Sequence, residues 1–324
     1  MEFRRFFIKI LLIFILPAVI FLGGYEYLYR QVENPYTLKD RVMTANAPAI
    51  EVLILGSSHM FYGVNPQYMS VESFNAANIS QDYHYDEYIF EKYVTRMSHL
   101  ASVVIPVSYF SPWEKLENEV DNWLLRKYRI YMGDSSVPMY VPVWNWEFMA
   151  LGGGKNIAKI LRGEELVSCN SYGYGTDYEH TPEVMNWEKH GADRATLHGL
   201  FNRYDQNTIA NNEQENVQHL HNIIDYCEDN HIRIILVTPP AHEAYYSQLD
   251  TVQYRAVVDF ANNLSRSSHV VEYHNFLMDN RFVESDFYDS DHLNAQGAEK
   301  FTRIIDTLLS APNSPCDIQA FGDK

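Results

Sequence analysis

The 324-residue sequence predicts an α/β fold, a three-layer α/β/α arrangement around a mostly parallel five-stranded sheet, preceded by one N-terminal transmembrane helix. Short apolar runs rich in β-branched residues predict the strands, and amphipathic patterns between the later runs predict the helices. A separate apolar stretch near the N-terminus predicts the membrane helix. The hydrophobic content, 46%, is sufficient for a large core.

The apolar stretch 6–24, FFIKILLIFILPAVIFLGG, contains a single charge, at Lys9. At ~1.5 Å per residue, a helix of this length is about 28 Å long, close to the thickness of the hydrocarbon core of a bilayer. Arg4 and Arg5 precede the stretch and Glu26 follows it, which predicts a cytoplasmic N-terminus and an extracytoplasmic main domain. A cleaved signal peptide is the alternative, but no Ala-x-Ala cleavage site follows, which favours an uncleaved anchor.

Composition divides the chain into an anchor, a tether and one domain. Residues 1–24 are the predicted cytoplasmic tip and anchor, 25–48 a polar and aromatic tether, 49–311 the α/β domain and 312–324 a C-terminal tail. The region 111–211 interrupts the alternation of strands and helices and is too long for a simple crossover. We therefore expect it to be an insertion at the rim of the sheet.

The elements of the domain follow from apolar periodicity. The predicted strands are 52–55, 71–80, 101–110, 233–240 and 269–276. The predicted helices are 84–97, 212–230, 252–266 and 295–310. The last helix has apolar residues at three- and four-residue spacing and begins after Asn294, a good N-cap residue.

Charge and cysteine content exclude two classes of function. The 25 basic and 42 acidic side chains give a net charge of −17, which would repel a phosphate backbone, so nucleic acid is not an expected partner. The three cysteines, Cys169, Cys227 and Cys316, lack the spacing of a zinc site. We expect no metal bound through thiolates.

One polar cluster follows the first predicted strand, and a second precedes the last predicted helix. Ser57, Ser58 and His59 follow the first strand, at the sheet edge where ligands of open α/β folds collect. Asp289 and His292 lie just before the last helix, and a carboxylate three residues before a histidine can fold back onto one ring nitrogen. The other nitrogen can then act as a base for a serine hydroxyl.

These blocks resemble those of the SGNH, or GDSL-like, hydrolase superfamily, over roughly residues 50 to 310 apart from the insertion. Its Gly-x-Ser block corresponds to 56–58 and its Asp-x-x-His block to 289–292. The resemblance implies a flavodoxin-like sheet, Ser58 as nucleophile, His292 as base and Asp289 as the orienting acid. Asp291 also neighbours His292, but consecutive side chains diverge, which favours Asp289.

The oxyanion hole departs from the family pattern. The family's second block has a glycine where this sequence has Ser80, whose backbone N–H serves equally if the required φ is negative. With Ser80, the N–H of Ser58 would complete the hole. The family's asparagine after the third strand is absent, and Ser108 or Ser111 could donate instead.

Further residues at this edge are candidates for substrate binding. They are His59, Gln81, Ser108, Ser111 and His242. His242 is as readily explained as a solvated loop histidine. Aromatic residues of the insertion, Trp144, Trp146, Tyr172 and Tyr174, could stack on sugar rings or form the core of the insertion.

The anchor, the serine block and the missing asparagine are together similar to the membrane-tethered branch of the superfamily, which includes D-alanyl transfer and alginate O-acetylation proteins. This resemblance implies a serine acyltransferase or esterase acting outside the cytoplasm on O-acyl groups of a glycan, without metal or cofactor. Its partners would be an acylated polymer, the bilayer through residues 6–24 and a membrane-bound acyltransferase. The alternative is a catalytically weak or inactive module that binds a polymer or such an acyltransferase.

Overall fold

The structure, a computed structural model, describes residues 2–137, 162, 166–182, 186–200 and 203–311. The chain divides into two compact units, Met1–Asp40 with Asn122–Val167 and Arg41–Asp121 with Ser168–Lys324. The candidate site belongs entirely to the second unit.

A five-stranded parallel sheet forms the centre of the second unit. Its strands are β1 (Val52–Ile54), β2 (Ser73–Asn75), β3 (Ser102–Pro106), β4 (Arg233–Thr238) and β5 (Val271–Asn275). They lie in the order β2-β1-β3-β4-β5, and every neighbouring pair is parallel. This is the flavodoxin-like strand order, with its topological switch point between β1 and β3.

Helices of the second unit flank the sheet. In chain order, the described helices of both units are α1 (Glu2–Ile10), α2 (Leu16–Gln31), α3 (Pro35–Asn46), α4 (Ser58–Phe61), α5 (Tyr83–Val94), α6 (Leu125–Lys127), α7 (Trp187–Leu197), α8 (Gln206–Asp229), α9 (Glu243–Tyr246), α10 (Thr251–Ser267) and α11 (Ala295–Ser310). Of these, α1, α2 and α6 belong to the first unit. Every residue of β1 and β3 is buried. Because successive side chains of a strand point to opposite faces, the sheet is covered on both sides, and the predicted three-layer α/β fold is confirmed.

The elements agree closely with the sequence pattern. Each observed strand lies within its predicted range, and α10 and α11 match their predicted helices to within a residue. Helix α8 begins six residues earlier than predicted, because Asp205 caps it by accepting hydrogen bonds from the N–H groups of Asn207 and Thr208.

The N-terminal region is helical over a greater length than 6–24. Helices α1 and α2 are joined by a π-helical turn, Leu11–Ile15, and Phe3–Gln31 is long and apolar enough to cross a membrane. The predicted tether, 25–48, contains the end of α2 and all of α3. Asn34 caps α3, and Pro35 is its first residue. This pair is a helix-start signal, which the sequence argument did not use because it judged the segment by its polar and aromatic composition.

Candidate active site

Ser58 is presented by a tight turn at the end of β1. Gly56 has a φ of +115°, and a side chain there would lie 2.2 Å from Cγ of Pro106, so only glycine fits. The turn leads directly into α4, whose first residue is Ser58. The Ser58 hydroxyl lies 2.9 Å from Nε2 of His292.

His292 is held by Asp289 in the loop before α11. Nδ1 of His292 lies 3.0 Å from Oδ1 and 3.2 Å from Oδ2 of Asp289. The same Oδ1 accepts the backbone N–H groups of Asp291 and His292, so the carboxylate is folded back as the spacing suggested. The structure thus brings Ser58, His292 and Asp289 into one hydrogen-bonded chain.

Asp291 lies closer to His292 than the sequence argument assumed. Its Oδ1 is 3.6 Å from His292 Nδ1, so the two neighbouring side chains do not diverge. Arg194 of α7 binds both carboxylate oxygens, at 2.7 to 3.0 Å. Burial opposes ionisation of Asp291, but His292 and Arg194 outweigh it and hold its pKa well below the usual range.

His59 has both ring nitrogens engaged within the protein. Nδ1 lies 3.0 Å from the Ser108 hydroxyl and Nε2 lies 3.3 Å from Oδ2 of Asp291. Burial lowers the pKa of His59, although its hydrogen bond with Asp291 acts in the opposite direction. His59 and Ser108, both candidates for substrate binding, are therefore placed in the network that surrounds His292.

The two proposed oxyanion donors are Ser58 and Ser80. Within the described residues neither backbone N–H has an acceptor. The sequence argument made the use of the Ser80 N–H conditional on a negative φ, and the structure does not meet this condition, since φ is +55°. Serine adopts this left-handed conformation at a cost of about 1–3 kcal/mol.

An open cleft of about 90 Å³ adjoins Ser58. It is lined by Ser58, Ser80, Gln81, Phe110, Ser111 and Arg194, among others. Five acidic side chains also line it, namely Asp82, Asp86, Glu114, Glu119 and Asp121. Burial and the charge of Glu119 raise the pKa of Glu114 to about 8. The cleft therefore carries less negative charge at neutral pH than its composition suggests.

His242 is not among the residues that line this cleft, although its backbone N–H donates to the carbonyl oxygen of Ser290. His242 caps α9 by accepting from the N–H of Ala244, and its ring stacks on Trp187. Of the four aromatic residues considered for sugar binding, Trp144 and Trp146 lie outside the described residues, Tyr174 is buried and Tyr172 is exposed.

Helix α7 and the residue that directly follows it contribute three side chains that the sequence argument missed. His190, Arg194 and His198 are spaced four residues apart and contact Ser290, Asp291 and Tyr245 respectively. Burial and the charge of Arg194 lower the pKa of His198. The four-residue spacing was visible in the sequence, but such a stripe usually marks a solvated helix face.

Two groups of side chains in the described chain are close enough to hold a metal ion. They are His59, Asp291 and His292, and His190, Asp289 and Asp291. Arg194 already occupies both oxygens of Asp291, and a guanidinium at that position repels a cation. These residues fit a hydrogen-bonded network around His292 better than a metal centre.

Comparisons with known proteins give weak similarities. A protein-family model matches residues 192–312, and no curated protein sequence matches the chain. Among solved structures, a candidate platelet activating factor from Streptococcus pneumonia is similar, with 11% identity over 90% of this chain and 99% of that chain and a TM-score of 0.40.

Two structures from Bacteroides are similar to the same degree. For a candidate acylhydrolase from Bacteroides fragilis the identity is 13%, over 83% of this chain and 95% of that chain, with a TM-score of 0.36. For a GDSL-like lipase from Bacteroides thetaiotaomicron the identity is 10%, over 85% of this chain and 99% of that chain, with a TM-score of 0.37. Similarities this low support no assignment of activity, so the geometry around Ser58 carries the functional argument.

Proposed function

We propose that this protein is a serine acyl-transfer enzyme, an esterase or O-acyltransferase, with Ser58 as nucleophile. The observation that carries the proposal is the hydrogen-bonded chain Ser58, His292 and Asp289, with steps of 2.9 Å and 3.0 Å. These distances lie within the range required for proton transfer between nucleophile, base and orienting acid.

In the proposed reaction the Ser58 oxygen attacks the carbonyl carbon of an ester while its proton passes to Nε2 of His292. Asp289 accepts the Nδ1–H, which fixes the ring and stabilises the imidazolium. The carbonyl oxygen becomes negative and faces the N–H groups of Ser58 and Ser80. His292 then protonates the departing alkoxide, and an acyl group remains on Ser58.

A second nucleophile, water or a sugar hydroxyl, releases the acyl group from Ser58. His292 accepts its proton as it attacks, and the serine hydroxyl is restored. Hydrolysis and transfer differ only in this second nucleophile, which has to reach the acyl-enzyme. For transfer, we infer a membrane-bound acyltransferase as the source of the acyl group and a glycan hydroxyl as its acceptor.

We further propose that the enzyme is anchored by its N-terminal helix and acts outside the cytoplasm on O-acyl groups of a cell-surface or secreted glycan. The apolar helix Phe3–Gln31 supports the anchor. Arg4, Arg5 and Lys9 at its N-terminal end support a cytoplasmic N-terminus. The resemblance of the serine block to membrane-tethered acyl-transfer proteins supports the glycan substrate.

A fluorophosphonate probe tests the proposed nucleophile, because it reacts covalently with activated serines. We expect wild-type protein to be labelled at Ser58, Ser58→Ala to be unlabelled and His292→Ala to be labelled much more slowly. Asp289→Asn should react more slowly than wild type because its histidine is misoriented. Mass spectrometry of the adduct identifies the labelled residue.

Ser57→Ala is the matched control. Ser57 is buried, lines the same cleft, and its hydroxyl has no hydrogen-bond partner in the described chain. Its replacement should leave labelling of Ser58 intact. Equal labelling of wild type, Ser58→Ala and His292→Ala would contradict the proposal, and no labelling of folded wild type would favour a binding module.

A further inference from the structure

Two neighbouring loops carry the proposed oxyanion donors. Ser58 ends the loop after β1, and Ser80 lies in the loop after β2, the strand paired with β1. Both N–H groups can reach one oxygen only if the loops keep a fixed separation, because each donor acts at about 2.7–3.1 Å. Some contact has to fix that separation.

Asp86, on the first turns of α5, contacts both loops. Its Oδ1 accepts the backbone N–H of Gly56 at 2.7 Å and the side-chain N–H of Gln81 at 2.6 Å. Gly56 lies two residues before Ser58, and Gln81 directly follows Ser80. Asp86 is 1% exposed as a residue and borders the cleft, so water cannot readily take its place in these bonds.

Asn78 completes a closed circuit of hydrogen bonds. Its backbone N–H donates to the carbonyl oxygen of Gly56 at 3.1 Å. Its side-chain N–H donates to Oε1 of Gln81 at 2.8 Å. Within this circuit Asp86 is the member that comes from a helix outside both loops, and it therefore ties them to the body of the domain.

We propose that Asp86 is a positioning residue for the oxyanion hole and that its carboxyl group holds the Ser58 and Ser80 loops together. The inference rests on the proposed acyl-transfer function. Only Oδ1 has to accept hydrogen bonds, so a protonated carboxyl group can fill the role. A neutral group also places no negative charge beside the oxygen that becomes negative in the reaction.

The surroundings of Asp86 favour the neutral form. Burial is the main cause that raises the pKa of Asp86 to about 8, and the charge of Asp82 also raises it. The hydrogen bonds from Gln81 and Gly56 lower the pKa but do not offset burial. Tyr83 is a further titratable neighbour on α5. The other charged residues that line the cleft are Glu114, Glu119, Asp121 and Arg194. Above this pH an ionised Asp86 would repel the oxyanion, so activity should fall.

The test is the pH dependence of kcat/KM for hydrolysis of p-nitrophenyl acetate by the full-length protein in detergent. For wild type we expect a fall as the pH rises through about 8. Asp86→Asn should retain activity within a few fold at neutral pH and lose this fall, because an amide accepts the same bonds and cannot ionise. Asp86→Ala should lose on the order of 10-fold or more, since both donors lose their alignment.

Two control variants separate Asp86 from other acids. Glu114→Gln should keep the fall near pH 8 although Glu114 also titrates there, and Glu91→Gln, an exposed change on α5, should resemble wild type throughout. An Asp86→Asn protein that is folded and as inactive as Asp86→Ala would overturn the inference, as would an unchanged alkaline fall in Asp86→Asn. If Asp86→Ala does not fold, the pH profile of Asp86→Asn decides alone.

Failure of the proposed function has a different signature. Wild-type protein that neither hydrolyses the ester nor labels at Ser58 would remove the enzyme and the role of Asp86 together. If wild type is active and the Asp86 variants have the same activity and pH profile as wild type, only the role of Asp86 is contradicted.

Discussion

The environment of His292 sets the pH at which it can accept a proton. Burial by itself would lower its pKa, but the carboxylates of Asp289 and Asp291 more than offset burial, and the net pKa lies above the ordinary value of 6.5. Arg194 acts in the opposite direction and limits the rise. Since only the neutral ring can act as a base, the proposed reaction requires a pH above this raised value.

The rate of fluorophosphonate labelling at Ser58 should therefore rise with pH, with a midpoint above 6.5, until the expected ionisation of Asp86 near pH 8 lowers it. Asp289→Asn removes the main carboxylate and should move the midpoint to lower pH while reducing the maximal rate. The measurement is the labelling rate between about pH 5 and about pH 9. A midpoint that is the same in wild type and Asp289→Asn would contradict this assignment of the base.

Secondary-structure elements were largely predictable from the sequence, because their signals are local. The buried strands read as short continuous apolar runs, and α11 shows its apolar face together with its cap, Asn294. Ser58, Asp289 and His292 could be found because each follows or precedes such an element. The positive φ of Ser80 and the role of Asp86 could not, because both depend on the packing of loops against α5.

Helix α7 shows the limit of local signals. It begins within the predicted insertion, and Arg194 looks like an ordinary surface residue until Asp291 is seen against it. The partner lies 97 positions away in the chain. A contact of this kind depends on tertiary structure, which a single sequence does not reveal.

Removing the Arg194 side chain should leave the buried carboxylate of Asp291 without the guanidinium that binds both of its oxygens. We expect Arg194→Met to destabilise the fold by about 3 kcal/mol or more. It should also move the midpoint of Ser58 labelling to higher pH, opposite to Asp289→Asn, because the positive charge that lowers the pKa of His292 is lost.

A double-mutant cycle with Asp291→Asn measures this interaction. The free energy of unfolding is measured by urea denaturation of the detergent-solubilised chain. The loss of this free energy in the double variant should be smaller than the sum of the losses in the two single variants. Strict additivity of the two changes would show that the contact contributes nothing to stability.

At the scale of the whole molecule, the N-terminal helix presents an apolar surface with no cover in the described chain. Phe14 and Phe21 are 68% and 71% exposed. Apolar side chains exposed along the length of a helix are unfavourable in water and favourable in a bilayer. The helix therefore fits a membrane span.

Protease treatment of sealed vesicles tests the proposed orientation. In right-side-out vesicles we expect the domain that follows Gln31 to be digested while a fragment containing the helix stays in the membrane pellet. In inside-out vesicles the domain should be protected until detergent is added. Digestion in the inside-out vesicles alone would place the domain in the cytoplasm, contrary to the proposal.

Ser58 and His292 are separated by 234 positions in the chain, and this has a consequence for biogenesis. In the proposed enzyme the serine leaves the ribosome early, whereas its base and Asp289 leave shortly before α11. The serine hydroxyl would then stay unreactive while the chain is made, since His292 is not yet present to take its proton. Activity would begin only when the C-terminal part folds onto β1, so a prematurely terminated chain could be tethered in the membrane without acylating anything around it.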